Sequence, residues 1–450
     1  MLTLEAEPDH DARPFLDIDF SGGAVVAISG GSDSTALLIL LKNHFRARWP
    51  AAKLVAVTID HALRAASHDE ALQVGRLCAG LGIEHRIRVW DGPKPRSGIA
   101  AAGREARYRL LATVAREEGV GMVVSGHTAD DQAETVAMRL ERSEDARGLA
   151  GMAPATLYDD EVWIVRPLLR LRRAQLRDML RQRGVGWIDD PTNEDRTYER
   201  PRVRAALDGE GFATAMRLAA EAARKRCDLG ARAARLIRRH AAQPISGLVY
   251  LQPAFVGEPD REVAAYALRL LLAAVGGLPQ LADTERAEAL LAALAEGTSS
   301  RATLARVLVD ARRGAIFLLR EARGLPEPMP AVDGFLWDGR RRITLRDSAG
   351  SVVIAPAGGT EALPATGALP RQVPESLARA ALAAEPAVWC DGRCLGRQGA
   401  GVATVPVVAP FARFLPGFDL EPARALAQLA GAAPIPYPPL EPSSPCAPRR

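Results

Sequence analysis

The chain has 450 residues with a formal net charge of only +4, and 48% of them are hydrophobic. This length exceeds one ordinary hydrophobic core, so two or three domains are expected. No apolar run reaches the roughly 18 residues of a membrane-spanning helix, and the acidic N-terminus lacks the charged-then-apolar order of a secretory signal. Composition therefore argues against a membrane protein and predicts a soluble protein with no membrane partner and a cytoplasmic location.

The first 205 residues alternate apolar strand-like runs with segments of helical spacing. We predict strands at 24–28, 53–59, 84–89, 122–125 and 162–165. We predict helices at 35–45, 67–81, 100–118 and 130–142, followed by an arginine-rich helix that ends near Gly184. Strands that alternate with helices of about 10–15 residues form βαβ units. The predicted fold is therefore an α/β, doubly wound parallel sheet over residues 20–205.

The remainder of the chain changes in character. Residues 211–325 are rich in alanine and leucine, and we predict a mainly helical domain that ends in a hairpin with strands at 304–309 and 315–319. Residues 333–432 carry short strand-like runs with many glycines and prolines, which predict a small, mainly β domain. The proline-rich segment 434–450 is predicted to be a disordered tail.

A loop of glycines and serines joins the first predicted strand to the first helix. Its residues are Ser29, Gly30, Gly31, Ser32, Asp33 and Ser34. Unpaired backbone N–H groups at a helix N-terminus attract phosphate, and glycine lets the backbone approach the anion closely. Asp33 either caps the helix or faces a magnesium ion. A plain glycine turn is the structural alternative, but it does not require three serines and an aspartate in this order.

A second polar cluster follows the predicted strand 122–125. His127, Asp130, Asp131 and Glu134 are spaced so that they would share one helical face, at the carboxyl end of the sheet. Neighbouring carboxylates repel each other unless a cation lies among them. The cluster therefore predicts a site for magnesium or for a substrate ammonium group, with Asp130, Asp131 and Glu134 as its acids. The alternative is a solvated acidic face with His127 as a capping residue.

Two further stretches place polar side chains near the same edge of the sheet. Asp60 ends the second strand and either holds a ribose hydroxyl or a metal, or caps a loop. Arg104 and Arg107 lie one turn apart near a helix start, which suits phosphate contact. An ion pair with Glu105 is the alternative for these arginines.

Arginine dominates the cations of this chain. Only four of its 58 Lys and Arg residues are lysines, which leaves 54 arginines, and many of them cluster at 166–183 and 196–204. Coding bias and a solvated helix face are the alternatives to a functional role. Beside a nucleotide site, however, the clusters predict a surface for a polyanion.

The loop 29–34 resembles the SGGxDS signature of the PP-loop ATP pyrophosphatase superfamily, whose members split ATP to AMP and pyrophosphate on a doubly wound parallel sheet. Further motifs extend the resemblance over residues 24–204. They lie at 60–64, 92–95, 104–108, 127–135, 147–152, 166–169 and 187–193. Together these motifs look like those of the tRNA(Ile)-lysidine synthetase family. One departure is that the family shows an Arg-Asn pair where this chain has Arg200 and Pro201.

This resemblance implies a ligase that uses ATP and Mg²⁺. ATP adenylates C2 of the wobble cytidine of tRNA(Ile) with a CAU anticodon and releases pyrophosphate. The ε-amine of L-lysine then displaces AMP, which gives lysidine. In such an enzyme, residues 29–34 bind ATP, and Asp130, Asp131 and Glu134 serve magnesium and lysine. The arginines that stabilise phosphates or the transferring adenylyl group would be Arg104, Arg107 and Arg204, and Asp60 and His127 complete the candidate catalytic set.

Two other functions are compatible with the loop. One is a PP-loop enzyme that inserts sulfur into tRNA, although none of the five cysteines forms a CxxC pair. The other is a non-catalytic nucleotide- or RNA-binding protein, in which the crowded acids would have no chemical purpose. The sequence leaves open whether the chain forms a homodimer.

Overall fold

The computed structural model describes residues 13–63, 67–142, 147–189, 197, 199–297, 299–312, 314–346, 352–358 and 373–440. The residues of the predicted motifs and segments that fall between these ranges or after 440, among them Arg64, residues 190–193, Arg196 and residues 441–450, lie outside this set. The chain divides into two compact units. The first takes the described residues up to Arg226 with 416–418 and 436–440, and the second takes those of 227–415 and 419–435.

The first unit is built around a mainly parallel sheet. Its strands are β1 (Ala24–Ala27), β2 (Leu54–Asp60), β3 (Glu84–Val89), β4 (Met122–Ser125), β5 (Ala155–Tyr158) and β6 (Val162–Val165). They follow the order β5-β6-β4-β1-β2-β3. All neighbouring pairs are parallel except β5 with β6. The chain leaves β1 towards β2 and later returns to β4 on the other side, so the strand order reverses between β1 and β4. Open α/β sheets bind ligands at such a point.

Within the described residues, six helices lie wholly in this unit and accompany the sheet. They are α1 (Ser32–Arg48), α2 (Ser67–Gly80), α3 (Ile99–Glu117), α4 (Ala129–Glu141), α5 (Arg173–Gln182) and α6 (Glu199–Ala206). The predicted doubly wound α/β sheet is confirmed. The prediction omitted β5, a short run whose four residues are all buried and lack the alternation that marks a strand. Asp159 and Asp160 adopt positive φ and turn the chain from β5 into β6.

A long helix, α7 (Gly209–His240), contains the boundary between the two units at Arg226. The elements that follow it are β7 (Ala241–Ile245), β8 (Leu248–Leu251), α8 (Pro253–Val256), α9 (Arg261–Gly276), α10 (Thr284–Ala295), β9 (Ser300–Leu304), β10 (Val307–Arg312) and β11 (Ala315–Arg320). The five strands form an antiparallel sheet in the order β7-β8-β11-β10-β9. The predicted hairpin is present as β10 and β11, which pair antiparallel. Its first strand begins at Val307 and not at 304, because Ala305 and Arg306 have positive φ and form the turn between β9 and β10.

The last part of the second unit is mainly β, as predicted. Its elements are β12 (Met329–Pro330), β13 (Leu336–Trp337), β14 (Arg341–Leu345), β15 (Val352–Pro356), α11 (Glu375–Ala383), β16 (Pro386–Cys390), β17 (Arg393–Cys394), β18 (Gln398–Gly399), β19 (Val402–Pro406) and α12 (Leu420–Ala430). Helix α11 was not predicted. It packs Leu377 and Ala381 against Phe317 and Leu319 of β11, so the predicted segments 211–325 and 333–432 share a core.

Membrane insertion of a helix finds no support in the described residues. None of their helices combines the length and apolar character that crossing a bilayer demands.

Candidate active site

A cavity of about 580 Å³ lies in the first unit, where β1 and β4 end. The loop that follows β1, the start of α1, the segment that follows β4, and helices α3, α4, α5 and α6 all contribute to its wall. Its polar lining residues are Ser29, Ser32, Asp33, Ser34, His61, Arg107, Tyr108, Ser125, His127, Asp131, Arg173, Arg177, Asp189, Arg200 and Arg204. The predicted glycine-serine loop and much of the acidic cluster are therefore brought to one place.

The glycine-serine loop is held by its own hydroxyls and by one distant contact. Ser29 Oγ and Ser34 Oγ lie 3.2 Å apart, and Ser34 Oγ donates to Gly31 O at 3.1 Å. Gly30 has a φ of +85°, which favours glycine. Ile188 N donates to Gly30 O at 2.9 Å. Helix α1 begins at Ser32, three residues before the predicted start, so the N–H groups of its first turn belong to the loop.

The two predicted motifs touch each other through Gly126. A Cβ atom on Gly126 would lie 3.0 Å from Asp33 O and 3.1 Å from Ser34 Cα. Both are backbone atoms of the first turn of α1, which cannot move aside as a side chain would. A glycine at this position thus lets the segment after β4 lie close to the first turn of α1.

Three carboxylates converge on one guanidinium group, that of Arg173. Its Nε lies 2.8 Å from Asp33 Oδ2, its Nη2 lies 2.9 Å from Asp131 Oδ1, and its Nη1 lies 3.5 Å from Glu134 Oε1. Asp33 belongs to the loop, whereas Asp131 and Glu134 lie on α4. The guanidinium group comes from α5. It lies some 40 residues after Asp131 and Glu134 in the sequence, and 140 residues after Asp33.

Helix α6 adds two more arginines to the same acids. Arg200 Nε lies 2.8 Å from Glu134 Oε2, and Arg204 Nε lies 2.6 Å from Glu134 Oε1. The two arginines are four residues apart and lie on one face of the helix. Pro201 occupies the first turn of α6, where a backbone N–H has no acceptor within the helix, so its missing donor costs little. The departure from the family pattern therefore leaves both arginines in the cavity.

The acids differ in how readily they ionise. Burial by itself would raise the pKa of Glu134, but hydrogen bonds and charges from Arg204 and Arg200 outweigh it and hold the pKa below its usual value. For Asp33 burial prevails, and its pKa is raised in spite of Arg173. Of these two carboxyls, Asp33 therefore accepts a proton more readily.

Two predicted acids point elsewhere. Asp130 Oδ2 accepts from the backbone N of Arg173 at 2.7 Å, so Asp130 holds the start of α5 and does not line the cavity. Asp60 Oδ1 accepts from Ala62 N at 2.8 Å and from Ser67 Oγ at 2.6 Å. These bonds correspond to the loop-capping alternative for Asp60. A catalytic role for either residue stays a prediction.

The shared helical face proposed for His127 is wrong. Thr128 is the N-cap of α4, and its side chain and the Asp131 carboxylate form a capping box, so His127 precedes the helix. His127 nevertheless lines the cavity, with Nδ1 3.0 Å from Ser125 Oγ. Burial, reinforced by Arg166 and other arginines, holds the pKa of His127 well below its usual value, so the ring is neutral at pH 7.

The opposite wall of the cavity is basic and surrounds Tyr108. This ring is 1% exposed. Arg166 Nη2 lies 3.5 Å from the phenol oxygen, and the guanidinium carbons of Arg104 and Arg107 lie 4.9 and 5.3 Å from the ring centre. Arg107 lines the cavity, as predicted for a phosphate contact, whereas Arg104 is exposed beside it.

Tyr108 should ionise near neutral pH. Burial would raise the pKa of the phenol, but Arg166, Arg107 and Arg104 outweigh it and lower the pKa to about 7, against about 10 in an unfolded chain. Ionisation of Tyr108 therefore stabilises the fold fully above about pH 10, and this contribution is lost as the pH falls through about 7. We expect a tyrosinate absorbance step near pH 7 that Tyr108→Phe lacks. Identical titrations of the two proteins would contradict it.

The acids around Arg173 offer oxygen donors that would serve a divalent cation only together with nucleotide phosphates and water. Asp33, Asp131 and Glu134 offer carboxylate oxygens, which magnesium prefers, and they already share one cation, the Arg173 guanidinium. Within the described part of the chain, no three acidic, histidine or cysteine side chains are grouped so as to hold a metal ion by themselves. Of the predicted ligands Asp130, Asp131 and Glu134, the structure brings the last two together and adds Asp33.

Several cavity residues were not singled out from the sequence. Arg173 and Arg177 were counted only as members of a basic cluster, and Arg177 Nε lies 3.2 Å from Ser32 Oγ. Tyr108 and Ile188 were parts of motifs without a role. The available signal was the run Arg172-Arg173 at the start of an amphipathic helix. A side chain at the start of a helix beside the carboxyl edge of the sheet can point into the ligand site.

A serine-rich loop that leads from β1 into α1 at the switch point of a parallel sheet defines a PP-loop, ATP-using enzyme. The family model described as "PP-loop domain" matches residues 12–210. Among curated relatives, the tRNA(Ile)-lysidine synthase of Mesorhizobium japonicum is 55% identical, over 97% of this chain and 98% of that protein. Those of Rhizobium meliloti and Brucella anthropi are 36% and 37% identical, over 92% and 93% of this chain and 93% and 96% of theirs. The chain belongs to the tRNA(Ile)-lysidine synthase family.

Proposed function

We propose that this enzyme joins L-lysine to C2 of the wobble cytidine in tRNA(Ile) with a CAU anticodon, and that it does so in the cytoplasm. ATP is the energy source, and the products are lysidine in the tRNA, AMP and pyrophosphate. The observation that carries the proposal is the similarity to tRNA(Ile)-lysidine synthases over 97% of the chain. The cavity supports this proposal. It combines the glycine-serine loop with an acidic wall, formed by Asp33, Asp131 and Glu134, and with the basic wall around Tyr108.

In the proposed first step, the cytidine O2 attacks the α-phosphorus of ATP and pyrophosphate leaves. The N–H groups at the start of α1, with the hydroxyls of Ser32 and Ser34, receive the phosphates. Arg107 on the basic wall, with Arg104 beside it, stabilises the negative charge that develops on the transferring phosphoryl oxygens. His127 is neutral and adds no positive charge there.

Magnesium, held by Asp33, Asp131 and Glu134, would neutralise charge on the departing pyrophosphate. The same acidic wall suits the ammonium group of lysine, which must lose a proton before its nitrogen can attack C2 and expel AMP. Glu134 is a poor acceptor for that proton because its pKa is lowered. Asp33, whose pKa is raised by burial in the metal-free cavity, is the better one once magnesium has left with pyrophosphate.

The surface beside the cavity suits a polyanion. Arg170 and Arg172 are exposed next to α5. We propose that they contact the tRNA backbone and that residues 211–325 and 333–432 grip the rest of the tRNA. Affinity for tRNA should then fall with salt by roughly 0.7–0.9 log units per log unit of salt for each phosphate contact. A response flat in salt would rule out this surface.

The test of the function uses the purified chain with ATP, magnesium, labelled lysine and a tRNA(Ile) transcript that has a CAU anticodon. Label should enter the tRNA, with one pyrophosphate released for each lysine incorporated. A transcript with its wobble cytidine replaced should stay unlabelled. The assignment fails if AMP and pyrophosphate form and lysine is never incorporated, and a sulfur donor that replaced lysine would identify a thiolation enzyme.

Asp131→Asn should lower lysine incorporation by about 100-fold or more, because it removes a carboxylate charge from the cation subsite, the place among Asp33, Asp131 and Glu134 where magnesium would bind. Asparagine keeps an oxygen that can accept from Thr128, so the cap of α4 is disturbed less than by alanine. Binding of tRNA should stay within about threefold of the wild type, since Asp131 faces the cavity.

Glu141→Gln is the matched control, because Glu141 is an exposed acid near the end of the same helix. It should leave incorporation unchanged. If Asp131→Asn lost tRNA binding together with activity, Asp131 would have a structural role instead.

A further inference from the structure

The charges of the acidic wall are balanced by arginines without any bound ion. Asp33, Asp131 and Glu134 carry three negative charges, and three arginines lie within 3.5 Å of them. Arg173 is the arginine that touches all three acids, and its side chain is 17% exposed. A second cation that enters this wall therefore meets a neutral cluster, with a guanidinium already at its centre.

Arg173 and a divalent ion cannot both hold the same carboxylate oxygens. The repulsion between a divalent ion and a guanidinium a few ångströms away is strong at the effective dielectric constant of a protein cavity. Binding of the ion therefore requires that Arg173 give up some of these bonds.

The backbone of Arg173 is fixed while its side chain is long. Its N–H is bound to Asp130 Oδ2 at 2.7 Å at the first residue of α5, which anchors the Cα. Its guanidinium lines the same cavity as Ser32, whose hydroxyl belongs to the phosphate loop. A guanidinium fork binds phosphate oxygens as well as it binds carboxylates. Phosphates delivered to the loop thus offer Arg173 new partners within reach of its own side chain.

We propose that Arg173 is a positioning residue that occupies the cation subsite in the nucleotide-free enzyme, and that it exchanges the carboxylates for phosphate oxygens of the nucleotide when a divalent ion enters. This inference rests on the proposed ATP and magnesium chemistry. It makes metal binding depend on nucleotide, because only the nucleotide frees the carboxylates. It also holds the acids in place while the site waits for its substrates.

The experiment measures Mn²⁺ binding to the full chain by electron paramagnetic resonance of the free ion, with and without a non-hydrolysable ATP analogue. The wild type should bind Mn²⁺ at least tenfold more weakly without the analogue. Arg173→Gln removes the competing charge and should bind Mn²⁺ at least tenfold more tightly than the wild type in the absence of nucleotide. A purely structural role for Arg173 predicts the opposite, since a disordered acidic wall would bind the ion less well.

Arg181→Gln is the control, because Arg181 is exposed on the same helix and pairs with Asp178 at 2.7 Å. It should leave both affinities unchanged. If Arg173→Gln does not fold, Arg173→Lys decides the question: one ammonium cannot bridge three carboxylates, so it should bind Mn²⁺ at least threefold more tightly than the wild type. Equal or weaker Mn²⁺ affinity in the folded variant overturns the inference.

The measurement contains neither tRNA nor lysine, so it is separate from the proposed function. Loss of the proposed function would appear as missing lysine incorporation, with the Mn²⁺ result intact. Failure of the inference would appear as an unchanged Mn²⁺ affinity in an enzyme that still incorporates lysine.

Discussion

Gly30→Ala should abolish ATP binding and lower the melting temperature by roughly 5–10 °C, whereas Gly31→Ala should lower it only slightly. Gly30 has a φ of +85°, a conformation that costs an alanine about 1–3 kcal/mol. Its new Cβ would also lie 2.7 Å from Ile188 Cδ1. The loop would then have to change its backbone, and the first-turn N–H groups of α1 would no longer point together at a phosphate.

Gly31 provides the control inside the same loop. Its φ is −66°, which any residue adopts, and the nearest atom to a new Cβ is Ser29 Oγ at 3.6 Å. Thermal unfolding compares the stabilities, and calorimetry with an ATP analogue measures binding. A Gly30→Ala protein with the wild-type melting temperature and ATP affinity would mean that the loop does not depend on this backbone conformation.

The strands and the phosphate loop could be predicted because their signals are local. The strand at 84–89 and the strands at 122–125 and 162–165 were predicted with the bounds that the structure has. Each is a short run of strand-forming residues between turn residues, and neighbours in sequence decide such elements. The loop was found for the same reason, since its function depends on six consecutive residues.

The partners of the acids could not be predicted, because they are long-range contacts. Arg173 reaches Asp33 across 140 residues, and nothing in either local sequence specifies the other. Asp130 and Asp131 are adjacent in sequence, yet only Asp131 lines the cavity, because successive residues of a helix point about 100° apart. The sequence spacing placed both acids on one helical face, and only the packing of α4 within the unit decides which of them faces the cavity.

Glu134→Gln should lower both stability and activity, because Glu134 is the acid on which three arginines converge. Its side chain is 1% exposed. Removing its charge leaves one guanidinium of the wall without a counter-ion. Breaking a buried pair in this way costs about 3–5 kcal/mol, and we expect about 2–3 kcal/mol here because Arg200 and Arg204 are partly exposed. Lysine incorporation should fall by about 100-fold or more, because the carboxylate that holds Arg204 and belongs to the cation subsite is lost.

The pH dependence separates this charge effect from a loss of packing. The pKa of Glu134 is lowered in the folded protein, so its charge stabilises the fold fully above the unfolded value of about 4.3 and this contribution is lost as the pH falls through the folded value. The difference in melting temperature between the wild type and Glu134→Gln should therefore be full at about pH 7 and shrink below about pH 4. Glu141→Gln, an exposed change on the same helix, should show no such difference. A Glu134→Gln deficit that stayed constant down to low pH would mean that the carboxylate shape, and not its charge, holds the three arginines together.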